Sequence, residues 1–334
     1  MINRRAFLKT AAVGASQAVA LPYLAREGFA QTPAHVFKLT YADNRNHPLY
    51  QVLLRYADNV KQKTGGAIEV QVYGAGELGT QVNILTGLQT GIIDLCAHTS
   101  GFIDTLFPQF QVMDLPFLFN ELGQAEKVLD GPVGKELADL MPQKGIYALG
   151  YGYWGWRVTS TVDRKLTKPE DMKGLKIRVQ PGPIFSGTYR ALGANPIAID
   201  LSEVYLALSQ KTIEAIELPI VALPAAKFYE VVKVVNLTNH VYNAGVMMVS
   251  KRKFDALTPD LQQKLREASA DLSKDWRKTI ADKTTETAEF LKKQGLAIND
   301  VDRAAYRKAS EPVYTEFRDK IGGALYDAVI KQVG

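Results

Sequence analysis

Tyr151-Gly152-Tyr153-Trp154-Gly155-Trp156-Arg157 packs two Tyr, two Trp and one Arg into seven positions. A second arginine, Arg178, stands in Leu175-Lys176-Ile177-Arg178-Val179. There Leu175, Ile177 and Val179 point to one face of an alternating segment, and Lys176 and Arg178 to the other. A guanidinium is a fixed two-pronged donor that matches a carboxylate. Trp and Tyr faces can cover the apolar side of a sugar or a short carbon chain. The chemistry on offer is binding of an organic anion. The same residue types also fit core tryptophans and arginines held in structural ion pairs.

Other chemistries are poorly supplied. No Gly-x-Ser-x-Gly and no Walker loop occurs. His35, His47, His98 and His240 lie far apart, without zinc-site spacing, so no metal is expected. His47, beside Pro48, reads as a helix-start residue rather than a ligand contact. The single cysteine, Cys96, excludes a disulfide framework and reads as a buried thiol within the apolar stretch 92–97. Gly74-Ala75-Gly76-Glu77-Leu78-Gly79 fits Gly-x-Gly-x-x-Gly after a strand. A dinucleotide fingerprint opens the first strand-helix-strand unit, however, and here one strand-helix pair already precedes it. No cofactor is expected.

The elements that must position these residues alternate. Val36 to Tyr41 reads as a strand, and Leu49, Val52, Leu53, Tyr56 and Val60 recur at helical spacing up to Gly65-Gly66. Ile68, Val70 and Val72 alternate; Val82, Leu85 and Leu88 mark a helix ended by Gly91; Ile92 to Ala97 reads as a buried strand. A second such series follows Arg157, with a strand at 175–179, a helix through Leu192, a strand at 196–199 and a helix at 204–208 capped by Asp200. Pro259 to Leu291 reads as one long charged amphipathic helix, long enough to pack across both series. The expected fold is α/β, with two lobes and a cleft between them. In open α/β sheets ligands sit beyond the carboxyl ends of the strands, which is where Arg178 falls.

Composition agrees with a folded, exported chain. With 334 residues, 46% hydrophobic and 22% charged, disorder, collagen and coiled coil are excluded, and the length suits two domains. Asn3-Arg4-Arg5-Ala6-Phe7-Leu8-Lys9, a weakly apolar stretch and Gly28-Phe29-Ala30 form a twin-arginine signal peptide over 1–30, with Gln31 expected to begin the mature chain. An amphipathic N-terminal helix is the other reading. Residues 1–30 carry four basic residues against one acidic, which leaves 36 against 34 and a net charge of +2. No basic block follows, so nucleic acid is not an expected partner. No later apolar run approaches the roughly 18 residues of a membrane span.

Longer motifs add a family. Met172-Lys173-Gly174-Leu175-Lys176-Ile177-Arg178-Val179, Leu192-Gly193-Ala194-Asn195-Pro196, Ser202-Glu203-Val204-Tyr205-Leu206-Ala207-Leu208, Lys227-Phe228-Tyr229-Glu230-Val231 and Thr238-Asn239-His240 occur in that order, with Phe110 and Leu115-Pro116-Phe117 ahead of them. The chain thereby resembles the DctP-type solute receptors of tripartite ATP-independent periplasmic (TRAP) transporters over nearly its whole mature length. The resemblance implies a periplasmic two-lobed receptor that closes on an organic acid and hands it to membrane permease subunits. Sugar acids, uronic or aldonic, come first; short hydroxy acids and aromatic acids follow. It implies that Arg178 holds the ligand carboxylate and that Arg157 assists from just after the first lobe, where a place near the hinge should leave it more water. It implies further contacts from the loop Tyr41 to Asn46, from Thr80-Gln81 and from His98-Thr99-Ser100. The expected ligand set is therefore Arg178, Arg157, Trp156, Glu217, Gln180, Gln81, Thr99, His98 and Asn44. Many members carry Gln-Glu-Asn-Pro where this chain has Ile216-Glu217-Leu218-Pro219, so the Asn contact is absent or replaced. Members that hold a metal with 2-oxo acids have Glu-Trp there; Glu217 fits and Leu218 does not.

Lobe I is expected over 31–154 plus 244–283 and lobe II over 155–243 plus 284–334, hinged near Gly155 and Asn243, with the long helix spanning both and the receptor a monomer. A periplasmic enzyme using Glu217 or His98 as acid or base is the alternative, together with a ligand-sensing partner of a membrane kinase.

Overall fold

Phe37, Leu39 and Tyr41 turn to the buried side of β1 (His35–Tyr41), as period-two alternation requires. The computed structural model of the protein describes residues 33–333 apart from 42 and 75, so the expected twin-arginine signal peptide and cleavage site lie outside the described residues. α1 (Leu49–Lys63) buries Leu49, Val52, Leu53, Tyr56 and Val60 on one stripe. β2 (Ile68–Tyr73), α2 (Gln81–Thr90) and β3 (Leu95–Thr99) follow, and β1 pairs in parallel with both strands. The strand expected from Ile92 begins only at Leu95. Gly91, at φ 80°, caps α2, and the Ile92 and Ile93 amides both donate back to the Gly87 carbonyl, which leaves Ile92 72% exposed.

α3 (Ser100–Ile103), α4 (Leu122–Leu129) and α5 (Pro132–Leu140) lead into β4 (Ile146–Thr161), a strand of 16 residues. β5 (Lys176–Val179), α6 (Pro183–Ala191), β6 (Asn195–Ala198), α7 (Val204–Ser209) and β7 (Ala215–Pro219) build a second parallel half, with β5 between β7 and β6. α8 (Ala222–Ala225) precedes β8 (Val234–Ser250), 17 residues long. α9 (Lys251–Asp255), α10 (Pro259–Lys293), β9 (Ala297–Asn299), α11 (Arg303–Ala309), α12 (Glu311–Ile321) and α13 (Gly323–Val333) complete the described chain.

One sheet runs through both halves, in the order β2-β1-β3-β8-β4-β7-β5-β6, with β9 on the first residues of β8. The long antiparallel strands β4 and β8 carry it across: β8 pairs β3 through Gly245–Val249, and β4 pairs β7 through Arg157–Thr161. Their mutual register shifts between Ala148 and Gly150, between Tyr153 and Trp156, and again between Arg157 and Thr159. Gly155 sits in the irregularity between Tyr153 and Trp156 at φ 119°, a conformation only glycine adopts without strain.

α10 is capped by Thr258, whose hydroxyl accepts from the Leu261 amide, and it packs on α1, β4 and β9. It therefore touches both halves. Its Trp276 lies on Gly152 and Gly245, where any Cβ would overlap the indole. None of the described helices is long and apolar enough to cross a membrane.

Candidate functional site

A cavity of about 680 Å³ opens where the two parallel halves face each other. This is within the ordinary range of small-molecule sites. Its wall is supplied by the residues that end or follow six parallel strands. Tyr41 ends β1, and Asp43 and Asn44 follow it; Gly76, Gly79 and Thr80 follow β2; His98 and Thr99 end β3, and Phe102 lies in α3 just beyond. Arg178 lies near the end of β5, and Gln180 and Pro181 follow it; Asp200, Leu201 and Ser202 follow β6; Leu218 and Pro219 end β7. The crossing strands add Trp154, Arg157 and Asn243. Parallel strands expose their last residues and the loops beyond them at one edge, and two such edges make this cavity.

The two arginines differ in electrostatic state. Arg157 is 2% exposed and lies against Glu217, which is fully buried. Its Nε donates to Glu217 Oε2, its Nη2 to Glu217 Oε1 at 2.7 Å and to the Glu217 carbonyl at 3.0 Å, and its Nη1 to Gln180 Oε1 at 3.2 Å. The Phe185 ring lies 4.8 Å from the guanidinium carbon. Burial pushes the Glu217 carboxyl up, but the Arg157 charge and its hydrogen bonds outweigh that and hold it down at about 2. His240 stands 3.6 Å from Glu217. Burial lowers its pKa, and its Nδ1 lies 2.9 Å from the Thr238 hydroxyl, so it faces Glu217 as a neutral ring.

Arg178 is 3% exposed and has no carboxylate partner among the described residues. Its Nε donates to the Ile199 carbonyl at 2.9 Å, the one hydrogen bond its side chain makes within the described chain. Burial lowers its pKa to about 10, against the favourable fields of Glu217, Asp200 and Asp43. It stays protonated at neutral pH and holds a charge that no carboxylate among the described residues pairs.

Around the arginines the wall is part aromatic, part polar. Trp154 Nε1 donates to Asp43 Oδ2 at 2.7 Å, and its ring meets Trp276 edge-on at 5.1 Å. His98 stacks on Phe102 with ring centroids 3.6 Å apart, and its Nδ1 accepts from the Thr99 amide. Burial lowers the His98 pKa to about 3, so it is a neutral ring whose Nε2 carries the proton.

The profile of the DctP family, bacterial extracellular solute-binding protein family 7, matches residues 39–320. The chain belongs to this family. It is 31% identical over 301 residues to the 2,3-diketo-L-gulonate-binding periplasmic protein YiaO of Escherichia coli (strain K12), across 90% of this chain and 88% of the relative. The sugar acid binding protein DctPAm from Advenella mimigardefordensis strain DPN7T, solved in complex with galactonate, superposes with a TM-score of 0.87 at 30% identity, over 90% of this chain and 98% of that one. A TRAP periplasmic solute binding protein from Sulfurospirillum deleyianum DSM 6946, with bound succinate, gives 0.84 at 29% identity, over 91% and 100%. Its DctP neighbours are two-lobed receptors, and the mixed sheet of this chain is of their kind.

Of the residues expected in the site, Arg178, Arg157, Gln180, Thr99, His98 and Asn44 line the cavity together. Gln180 and Thr99 join the halves, Nε2 to Oγ1 at 3.2 Å. Asn44 spends both ends of its amide on the chain: Nδ2 donates to the Ala225 carbonyl at 2.8 Å and Oδ1 accepts from the Asn46 amide. It therefore ties the two halves and keeps one N–H free for a ligand. Gln81 opens α2 beside the cavity residue Thr80, and its side chain lies outside the described residues.

Three expectations need correction. Trp156 does not line the cavity; Trp154 does. Simple alternation puts both on one face, but the irregularity at Gly155 intervenes, and Trp156 packs edge-on to Tyr242 instead. Glu217 is not in the wall; it lies sealed beneath Arg157. Arg157 keeps no share of water despite its place by the crossing. His47 is a helix-start residue, buried, with Nδ1 accepting from the Leu49 amide. Asp43, within the expected contact loop Tyr41 to Asn46, and Asn243, expected at the hinge, are not in the expected ligand set but line the cavity. Their only sequence signal is position, the first strand-helix loop and the second crossing.

Proposed function

We propose that the protein is the extracytoplasmic receptor of a TRAP transporter and binds a sugar acid, an aldonate or uronate, for delivery to the membrane permease. One observation supports this most: a buried, charged and unpaired guanidinium, Arg178, presented in a cavity of ligand size at the strand ends. An anion is the natural complement, since a carboxylate can take up the donors that Arg178 leaves free. The aromatic and polar wall around it suits a hydroxylated carbon chain. The relatives named above bind diketogulonate, galactonate and succinate, all organic acids.

An enzyme built on Glu217 lacks support from this geometry, because that carboxylate is sealed and ion-paired. His98 has one nitrogen occupied by a backbone amide. Turnover of any acid in a panel would overturn the receptor reading.

A thermal-shift screen of organic acids, neutral sugars and amines tests the ligand class. A sugar acid at 100 times its Kd should stabilise the fold by about 2.7 kcal/mol, which for a chain of this size raises Tm by roughly 4 °C. Stabilisation by neutral sugars or amines alone would refute the carboxylate argument.

Closure is part of the same proposal. Lobes 31–154 plus 244–283 and 155–243 plus 284–334 would turn about the crossing at Gly155 and Asn243, because a ligand between them gains contacts from both only when the cleft shuts. Small-angle scattering should then give a smaller radius of gyration with saturating ligand. An unchanged profile would count against hinge closure.

A further inference from the structure

We propose that Asp43 makes this cavity selective for acids with a single carboxylate and a hydroxylated tail, against dicarboxylates on the same carbon skeleton; the proposal rests on the sugar-acid reading above. The charges in the wall set the argument. Arg157 is already neutralised by Glu217, so Arg178 is the cation left to pair with a ligand, and one guanidinium pairs with one carboxylate. Asp43 comes from the other half of the sheet, after β1, and is 8% exposed. One of its oxygens accepts from Trp154, and it forms no ion pair among the described residues.

A hydroxyl brought to Asp43 makes a charge-assisted hydrogen bond with it. A second carboxylate brought there meets a like charge in a place largely shut from water, and such a juxtaposition is strongly unfavourable. The neighbouring wall has the same preference. Tyr41 Oη and Asn243 Oδ1 are buried, line the cavity and have no hydrogen-bond partner in the described chain. Hydroxyl groups, which both donate and accept, satisfy either atom. A carboxylate only accepts, so it cannot serve Asn243 Oδ1. The succinate-bound relative shows that this fold also accommodates a dicarboxylate, so the exclusion would come from side chains rather than from architecture.

The test compares acids that differ only at the terminal carbon: galactonate with galactarate, and gluconate with glucarate. Titration calorimetry should show wild type binding the better aldonate at least about 100-fold more tightly than its aldarate. Asp43→Asn keeps an oxygen for the Trp154 N–H, loses about tenfold on the aldonate and gains on the aldarate, so that the two come within about tenfold of each other. Wild type binding an aldarate within threefold of its aldonate, or an unchanged ratio in a cooperatively melting Asp43→Asn, would overturn the proposal. If the variant fails to fold, the wild-type ratio alone decides. If wild type binds no sugar acid of any kind, the receptor reading fails and this proposal falls with it; if an aldonate binds without discrimination, only the role of Asp43 fails.

Discussion

Arg178→Ala should lower the affinity for the sugar acid by roughly 30- to 4,000-fold, about 2–5 kcal/mol, while the protein still melts cooperatively. The size of the effect follows from where the charge sits. Arg178 is buried, charged and without a carboxylate of its own, so the ligand is its partner, and the pair is shielded from water. The cooperative melt follows from the same facts. A buried charge that no carboxylate among the described residues pairs is a burden on the fold, visible in the lowering of its pKa to about 10. Arg178→Lys should recover only part of the affinity, because an ammonium cannot make the planar two-pronged contact. Arg157→Ala should behave in the opposite way. It strips the partner from the sealed Glu217, so its main effect is lost stability, and reduced binding follows from the displaced Gln180. Calorimetric titration and thermal melts of the three variants separate the two roles. Arg178→Ala binding within threefold of wild type would show that the anchor lies elsewhere.

That contrast between the arginines was only half legible in the sequence. The parallel halves could be read because their strands alternate and their helices repeat at 3.6, with Gly91 closing α2. Arg178 could be placed because it faces away from Leu175, Ile177 and Val179 on a short, regular strand. β4 and β8 could not be read as single strands. Gly150, Gly152 and Gly155 interrupt the apolar pattern of β4, and the register between the two strands shifts three times. The same irregularity turned Trp154 rather than Trp156 to the cavity. The Arg157–Glu217 pair joins residues 60 apart and the Trp154–Asp43 bond residues 111 apart, and no local pattern encodes either. A resemblance could supply the importance of Glu217, but not its place beneath the wall.

Glu217→Gln should be the most destabilising of these substitutions, costing about 3–5 kcal/mol at pH 7 and lowering Tm by roughly 5–8 °C. The amide fills the same space but leaves the Arg157 charge buried without a counter-ion, and it weakens the acceptor for the Gln180 amide, which now donates to Glu217 Oε1 at 2.8 Å. His240 cannot compensate, being a neutral ring 3.6 Å away. The pH dependence provides an independent check. The folded-state pKa of Glu217 lies near 2, below its ordinary 4.5. Its contribution is therefore fully present above about pH 4.5 and is lost as pH falls towards 2. The deficit of Glu217→Gln relative to wild type should be constant from pH 5 to 7 and shrink as the solution is acidified below 4.5. Removing both partners, as in Arg157→Met with Glu217→Gln, should recover much of the lost stability, because neither member of the pair then leaves the other's charge buried alone. If Glu217→Gln melts within about 1 kcal/mol of wild type at pH 7, the pair is not what neutralises Arg157, and the argument that Arg178 alone is left for the ligand loses its basis.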